Sequence, residues 1–447
     1  MGKNASCRKR RVVRSVIWTA LFILFVLRVS PAQAGAQGGF EILPDNTVDG
    51  WVCSKADLLE SNRIIIFVGD PERGGQPIGA ASTRRIEDTE RVHNCQDGVA
   101  LQFRHNIDRS TRSRLGPGKH SIYVRVTGLK DPRTSEVLQV VRVLNVKGTK
   151  IPLNLGANFN TACTHFSSQD WRPIRVEQSG CEHRYSWNIR GTNEDASFGS
   201  PKFFLPEDPL LNGTPYRSAE RPYWTYRFER KPGNNYRLLW VLDKVSVDLD
   251  RNQYSGAFLN DSGFTKPLYL SANLFVDITA KLNGSNAELD IHTGQAKIRT
   301  SIGAVSRWKD RLGRAYDAFV EVNIFRTANF DLCTATTNVD KQPKLGCDPD
   351  ELYDRRAYYG SGEIVYYDIA SMASVAGISQ ERLRGSGVAQ IYTIPIAELF
   401  RRYPWQRPPG RWQDATISGL YLGHEIWGKG YLSVEFEDYL VYEFIAE

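Results

Sequence analysis

Two glutamates sit among rings on two separate runs of alternating residues, and that arrangement has a definite chemistry. Glu321 lies within 316–325 and Glu425 within 417–427. Successive side chains of a β-strand point to opposite faces. Tyr316, Ala318, Val320, Val322 and Ile324 therefore share an apolar face, and Asp317, Phe319, Glu321, Asn323 and Phe325 share the other. On the second run Leu420, Leu422 and Ile426 make the buried side, leaving Tyr421, Glu425 and Trp427 together opposite them. Two carboxyl groups about 5 to 5.5 Å apart perform retaining glycoside hydrolysis, one as nucleophile and the other as general acid and then base. Phe319, Tyr421 and Trp427 are candidate platforms for the apolar face of a sugar, and Asn323 a candidate partner for its hydroxyls. The same residue types also serve as packing and as solvated surface, so the pattern narrows the function to carbohydrate-facing chemistry and leaves cutting and holding both open. His424 alternates onto the apolar side, the place of a core histidine.

The strands that must position these groups follow from the pattern of the whole chain. Over 39–148, short alternating runs (50–52, 64–68, 99–103, 120–126 and 137–146) are separated by Gly-Asp-Pro and Gly-Pro-Gly, which reads as a small antiparallel β-sandwich. Its layout resembles accessory sandwich modules of secreted bacterial proteins. From 150 to 447 the strands lengthen, with clear runs at 236–249, 268–280, 287–291, 316–325, 363–369, 388–394, 417–427 and 431–444. Helical periodicity is confined to 396–402 and 380–383, so the expected class is all-β, a small sandwich followed by a large concanavalin-like jelly roll.

The compartment is written at the N-terminus. Lys3, Arg8, Lys9, Arg10, Arg11 and Arg14 precede an apolar run over 16–27 and then Ala32-Gln33-Ala34, the form of a secretory signal over 1–34 cleaved near Ala34. The apolar run is shorter than the roughly 20 residues of a membrane span. A secreted or periplasmic chain without membrane insertion after cleavage is expected. Removing the seven basic residues of 1–34 from the net charge of +7 leaves a chain near neutrality, which gives no basic field for nucleic acid.

Of the seven cysteines, Cys7 leaves with the signal and six remain. Six cysteines allow 15 connectivities; in an exported chain short loops favour Cys53 with Cys95, Cys163 with Cys181, and Cys333 with Cys347. A competing reading joins Cys163, His165, Cys181 and His183 around zinc, against which stand the oxidising compartment and the unusual spacing. Asp248, Asp250 and Asn252 have the opening spacing of a calcium loop but lack its glycine and distal glutamate, so a structural calcium stays open and no cofactor or catalytic metal is expected. There is no Gly-x-Ser-x-Gly elbow, no His-Glu-x-x-His, no phosphate loop and no dinucleotide fingerprint.

The segments Val320-Glu321-Val322-Asn323-Ile324-Phe325 and Gly423-His424-Glu425-Ile426-Trp427-Gly428-Lys429-Gly430 resemble, in order and spacing, two motifs of family 12 glycoside hydrolases. The resemblance implies Glu321 as nucleophile, Glu425 as acid/base and Asp277, in Leu274-Phe275-Val276-Asp277-Ile278, as a helper on an adjoining strand. Val320 departs from that family's aromatic residue, the segment between the motifs holds an insert closed by the expected Cys333–Cys347 disulfide, and the domain is larger than the family's. Retaining hydrolysis of a β-linked polysaccharide is the implied activity. The alternatives are a non-catalytic carbohydrate-binding protein and a structural protein of the cell envelope; a lyase using His292 and Tyr316 has no motif behind it.

Overall fold

The computed structural model describes residues 37–55, 63–73, 75–85, 95, 98–127, 135–153, 264, 266–288, 297–326, 362–372, 378, 380–385, 387–427 and 429–447, and backbone strands within 162–261 and over 353–358. Outside the described residues lie the expected export signal, the acidic cluster at 248–252, Cys181, Cys333 and Cys347, and the side chains of Cys163, Glu425 and Trp427. The expected disulfides of 163 with 181 and 333 with 347, and the zinc alternative, therefore fall outside them too.

The chain begins with β1 (Gly38–Ile42), β2 (Thr47–Lys55), β3 (Arg63–Val68), β4 (Gln76–Ser82), β5 (Arg84–Arg85), β6 (Gly98–Asn106), helix α1 (Arg109–Leu115), β7 (Gly118–Thr127), β8 (Ser135–Val137), β9 (Arg142–Val146) and β10 (Gly148–Pro152). Antiparallel pairing makes two sheets, β1-β2-β6-β5 and β4-β3-β7-β8, with β9 also on β7. Alternation closes them on one core: Ile64, Ile66 and Val68 of one sheet meet Val48, Val52 and Phe103 of the other. Cys53 of β2 and Cys95 are disulfide-bonded. The expected single strand over 137–146 is two strands, β8 and β9, both on β7.

Next come β11 (Ala162–Ser167), β12 (Pro173–Ile174), β13 (His183–Gly191), β14 (Tyr216–Arg217), β15 (Trp224–Arg230), β16 (Tyr236–Asp243), β17 (Tyr254–Asp261), β18 (Leu268–Tyr269), β19 (Leu274–Glu288), β20 (Lys297–Lys309), β21 (Ala315–Arg326), β22 (Tyr353–Tyr358), β23 (Gly362–Asp368), β24 (Gln390–Ile394), α2 (Ile396–Arg402), β25 (Thr416–Trp427) and β26 (Lys429–Ala446). A seven-stranded sheet runs β14-β15-β16-β26-β19-β24 with β10 on β26. A ten-stranded sheet runs β12-β11-β13-β17-β25-β20-β21-β23-β22 with β18 on β25. Val276, Ile278, Ala280, Val434 and Phe436 from the first face Ile302, Ala304, Val320, Val322, Leu420 and Leu422 from the second in a common core. The architecture is all-β, with several sheets.

Helix α2 forms where periodicity indicates, with Leu399 and Phe400 fully buried. The expected helix at 380–383 does not form. Gln380 instead bridges to Thr393 of β24, donating from Nε2 to the carbonyl and accepting from the backbone N–H, while Leu383 N–H donates to the Ile324 carbonyl. Those contacts tie the segment to β24 and β21 without a helix. Helix α1 has cap signals instead of an apolar period: Asp108 accepts from the Thr111 N–H at 2.7 Å, and Gly116 closes the helix at φ 84°. A Cβ on Gly116 would lie 2.3 Å from the Phe275 ring, so this glycine is needed for contact as well as conformation.

That contact is one of several joining the first sandwich to the rest. Phe275, Tyr442, Phe444 and Ala446, from β19 and β26, belong to the core of the first sandwich. Arg109 Nε donates to the Ala446 carbonyl and Arg112 Nη2 to the Glu447 carbonyl, both at 2.6 Å, and Ala446 N–H donates to Ser113 Oγ. Among the described residues no helix is long and apolar enough to cross a membrane.

Candidate functional site

Three neighbouring strands of the ten-stranded sheet, β21, β20 and β25, carry the candidate residues, and β23 completes the row. The apolar face of β21 assigned by alternation is buried: Tyr316, Ala318, Val320, Val322 and Ile324 are at most 3% exposed. Its second face is buried as well. Glu321 is 2% exposed and Asn323 is fully shielded, so this face is not the open groove its residue types suggested.

The register explains what surrounds Glu321. Gly303 of β20 pairs with Glu321 on one side and with Tyr421 of β25 on the other, while Tyr366 of β23 pairs with Glu321 from its far side. Because Gly303 has no side chain, the Tyr421 ring lies across it; a Cβ there would be 2.0 Å from the ring. The ring thereby reaches Glu321, and its hydroxyl donates to Oε2 at 2.8 Å. Four residues along β20 from Gly303, Arg299 turns onto the same face and forms an ion pair with Glu321 Oε1 at 3.0 Å. Its guanidinium sits over the Tyr366 ring, 4.5 Å from the centroid, a cation–π contact. Burial, then the charge and hydrogen bond of Glu321, hold the Tyr421 hydroxyl well above the ordinary tyrosine pKa, so it stays protonated and donates. Taking two ions out of water costs several kcal/mol each, which only their mutual attraction and added hydrogen bonds offset.

The next row along the same face differs. Ser301 of β20 pairs with Asn323 of β21 and with Gly423 of β25, and Asp368 of β23 pairs with Asn323. Asp368 is saturated: Arg326 and Arg382 donate to it, and so does the Ala370 N–H. Ser301 and Asn323 are both fully buried, and the Ser301 hydroxyl and both polar atoms of the Asn323 amide have no hydrogen-bond partner among the described residues. Beyond them Ile364, Tyr366 and Phe319 form a small apolar cluster on the same face.

Glu425 is the Cα partner of Arg299, two strands from Glu321 and four residues along from the level of Tyr421. At about 4.8 Å between strands and about 3.3 Å per residue, the two glutamate Cα atoms are roughly 16 Å apart. The strands bearing the two glutamates are not neighbours, because β20 lies between them. Asp277 is not brought to this face at all: it lies on β19 of the seven-stranded sheet, where Lys150 forms its ion pair and Thr393 and Tyr442 donate hydroxyl hydrogen bonds to it. Phe319 is partly buried beside Tyr366. His424 points into the core as expected, with Nδ1 3.0 Å from Thr300 Oγ1 and its ring beside Phe436.

On the other face of this sheet a group of rings lies in the core. Trp308, Tyr316, Phe400, Tyr403 and Trp405 stack edge-on and tilted within the shared interior, with Trp412 against them. Beneath them the buried Glu363 accepts from Tyr316 Oη, Tyr403 Oη and the Gln406 N–H. Among the described residues no group of three or more His, Cys, Asp or Glu could hold a metal. Comparison with protein-family models and with curated proteins finds no match to this chain.

Arg299, Ser301, Gly303 and Tyr366 complete the face, and the first three were not among the residues expected from sequence. The first three come from β20. Its sequence does carry the alternation, with Ile298, Thr300, Ile302 and Ala304 against Arg299, Ser301, Gly303 and Val305, but glycine and serine weaken the strand signal.

Proposed function

We propose that this is an exported, non-catalytic carbohydrate-binding protein built on a jelly-roll-like sandwich, with its sugar site on the β21, β20 and β25 face. The observation that carries this reading is the engagement of Glu321. One carboxylate oxygen is in an ion pair with Arg299 and the other accepts from Tyr421, at 2% exposure. A carboxylate committed in this way organises a face and is a poor match for a nucleophile. The register supports the same choice, since two glutamates roughly 16 Å apart at Cα do not form a pair at about 5 to 5.5 Å without side chains extended straight toward each other. What favours sugar over another ligand is the company of the ion pair: an amide and a hydroxyl beside Tyr366, Tyr421 and Phe319, polar groups for hydroxyls next to rings for an apolar face.

Affinity electrophoresis of the full chain through gels containing β-glucan, xyloglucan or polygalacturonate tests the reading, with reducing-sugar release measured on the same polymers. Retarded migration without release is expected. Release that disappears in Glu321→Gln would make the protein a hydrolase, and absence of both retardation and release would remove the carbohydrate reading.

A further inference from the structure

We infer that Ser301 and Asn323 form a seat for a vicinal diol of a neutral sugar. The inference rests on the binding reading above and deepens it by naming the class of ligand. Folded proteins satisfy nearly all buried polar groups, so each exception asks for an explanation. Here two directly paired residues on adjacent strands leave a hydroxyl, an amide oxygen and an amide nitrogen together, all fully shielded and without a hydrogen-bond partner among the described residues. Directly opposed strand residues have Cβ atoms about 4.5–5.5 Å apart, so the three groups converge on one place. Gly423, the partner of Ser301 on its other side, adds no side chain there.

The chemistry of the set selects the ligand. The amide offers two donors and an acceptor, and the serine hydroxyl is both donor and acceptor. Sugar hydroxyls, which donate and accept at once, complement all three. A carboxylate accepts only, and would leave the Asn323 oxygen unmatched. Charge makes the same selection. The cations on this face are already committed, Arg299 to Glu321 and both Arg326 and Arg382 to Asp368, so among the described residues no buried cation of this face is spare for a uronate. Tyr366, in the neighbouring row with its ring under Arg299, supplies the apolar flank of the seat.

The pair is closed off from solvent, so a sugar reaches it only when this face opens. Leaving polar groups buried and unmatched disfavours the closed state, the stability cost expected of a site kept for a ligand. Replacing the amide by an isosteric apolar group should therefore stabilise the protein while removing the function.

The test is affinity electrophoresis of the full chain in β-glucan, xyloglucan and polygalacturonate gels, alongside thermal melts, for wild type, Asn323→Leu and Ser301→Ala. Wild type is expected to be retarded by a neutral polymer and not by polygalacturonate. Each variant should bind the neutral polymer at least about tenfold more weakly, and Asn323→Leu should melt higher. Ser301→Ala, the smaller change, carries the test by itself if the leucine variant does not fold. Wild-type affinity in a folded variant would overturn the seat and assign the pair to internal water, and polygalacturonate binding as tight as neutral binding would overturn the choice of a neutral sugar; in both cases binding as such still stands. No retardation by any polymer overturns both.

Discussion

Removing Arg299 is the perturbation whose size follows most directly from the geometry. Arg299 and Glu321 side chains are 4% and 3% exposed and 3.0 Å apart, so Arg299→Met strands a carboxylate in the interior, where the Tyr421 hydroxyl still donates to it. Breaking a buried pair from one side costs about 3–5 kcal/mol, and loss of the contact with Tyr366 adds up to about 2 kcal/mol when desolvated. Glu321→Gln leaves the guanidinium uncompensated and should cost a similar amount. In the double variant Arg299→Met/Glu321→Leu neither charge remains, and stability should return to within about 1–2 kcal/mol of wild type or exceed it, since an apolar replacement of a buried pair is often neutral or better. Urea denaturation followed by tryptophan fluorescence is a suitable assay, because Trp308 and Trp405 belong to the core beneath this face. The surface pair Arg411 and Asp414, 75% and 59% exposed, supplies the internal control, with an expected coupling of about 0–1 kcal/mol. If the Arg299 and Glu321 cycle gave a coupling no larger than the control, the claim that this ion pair organises the face would be refuted.

Three further outcomes follow from the same geometry. Gly303→Ala should displace the Tyr421 ring from its place over β20, cost about 1–3 kcal/mol as an overpacked position, and leave the Tyr421→Phe change nearly silent in that background; a full-sized Tyr421→Phe effect in the alanine variant would show that the ring had not moved. Asp108, which caps α1 and whose carboxyl is held below its ordinary range chiefly by the Thr111 N–H, should cost about 1 kcal/mol when changed to alanine at neutral pH and much less when changed to asparagine. Its folded pKa is depressed, so this contribution is present above the unfolded value and is lost as pH falls through the folded one; acid melts in which Asp108→Ala and wild type stay separated at the lowest pH would contradict it. Tyr442 is pushed above its ordinary value of 10.0 by burial first and then by Asp277. A raised pKa gives stability that is complete below the unfolded value and fades as pH climbs from about 10 toward the folded one, so Tyr442→Phe should flatten the alkaline loss of stability, and an unchanged alkaline slope would argue against it.

The alternation of 316–325 was legible because it is strict. Val320, Val322 and Ile324 went inward, and Phe319, Glu321 and Asn323 shared the other face, as the residue types require. The first sandwich was legible for the same reason, and Cys53 found Cys95. The organisation around Glu321 was not legible, because it depends on β20. A strand whose one face reads Arg299, Ser301 and Gly303 carries no apolar signal on that side, yet its insertion between β21 and β25 separates the glutamates and supplies the counter-ion. Parallel pairing of β21 with β23, which brings Tyr366 to Glu321 and Asp368 to Asn323, is likewise a long-range choice that no local pattern announces. Nor does a strand pattern reveal that its second face is covered: a polar residue facing solvent and one facing a buried ion pair look alike in sequence. Asp277 illustrates the converse, since its strand was found but its sheet was not.

The most direct test of the central claim is the comparison of polysaccharide retention with reducing-sugar release for wild type and Glu321→Gln across the neutral polymers. A protein that uses this face to hold sugar is retarded by at least one polymer and releases no reducing ends from it, in either form. Wild-type release that vanishes in Glu321→Gln, with the variant still folded, would contradict that account and make Glu321 a catalytic residue.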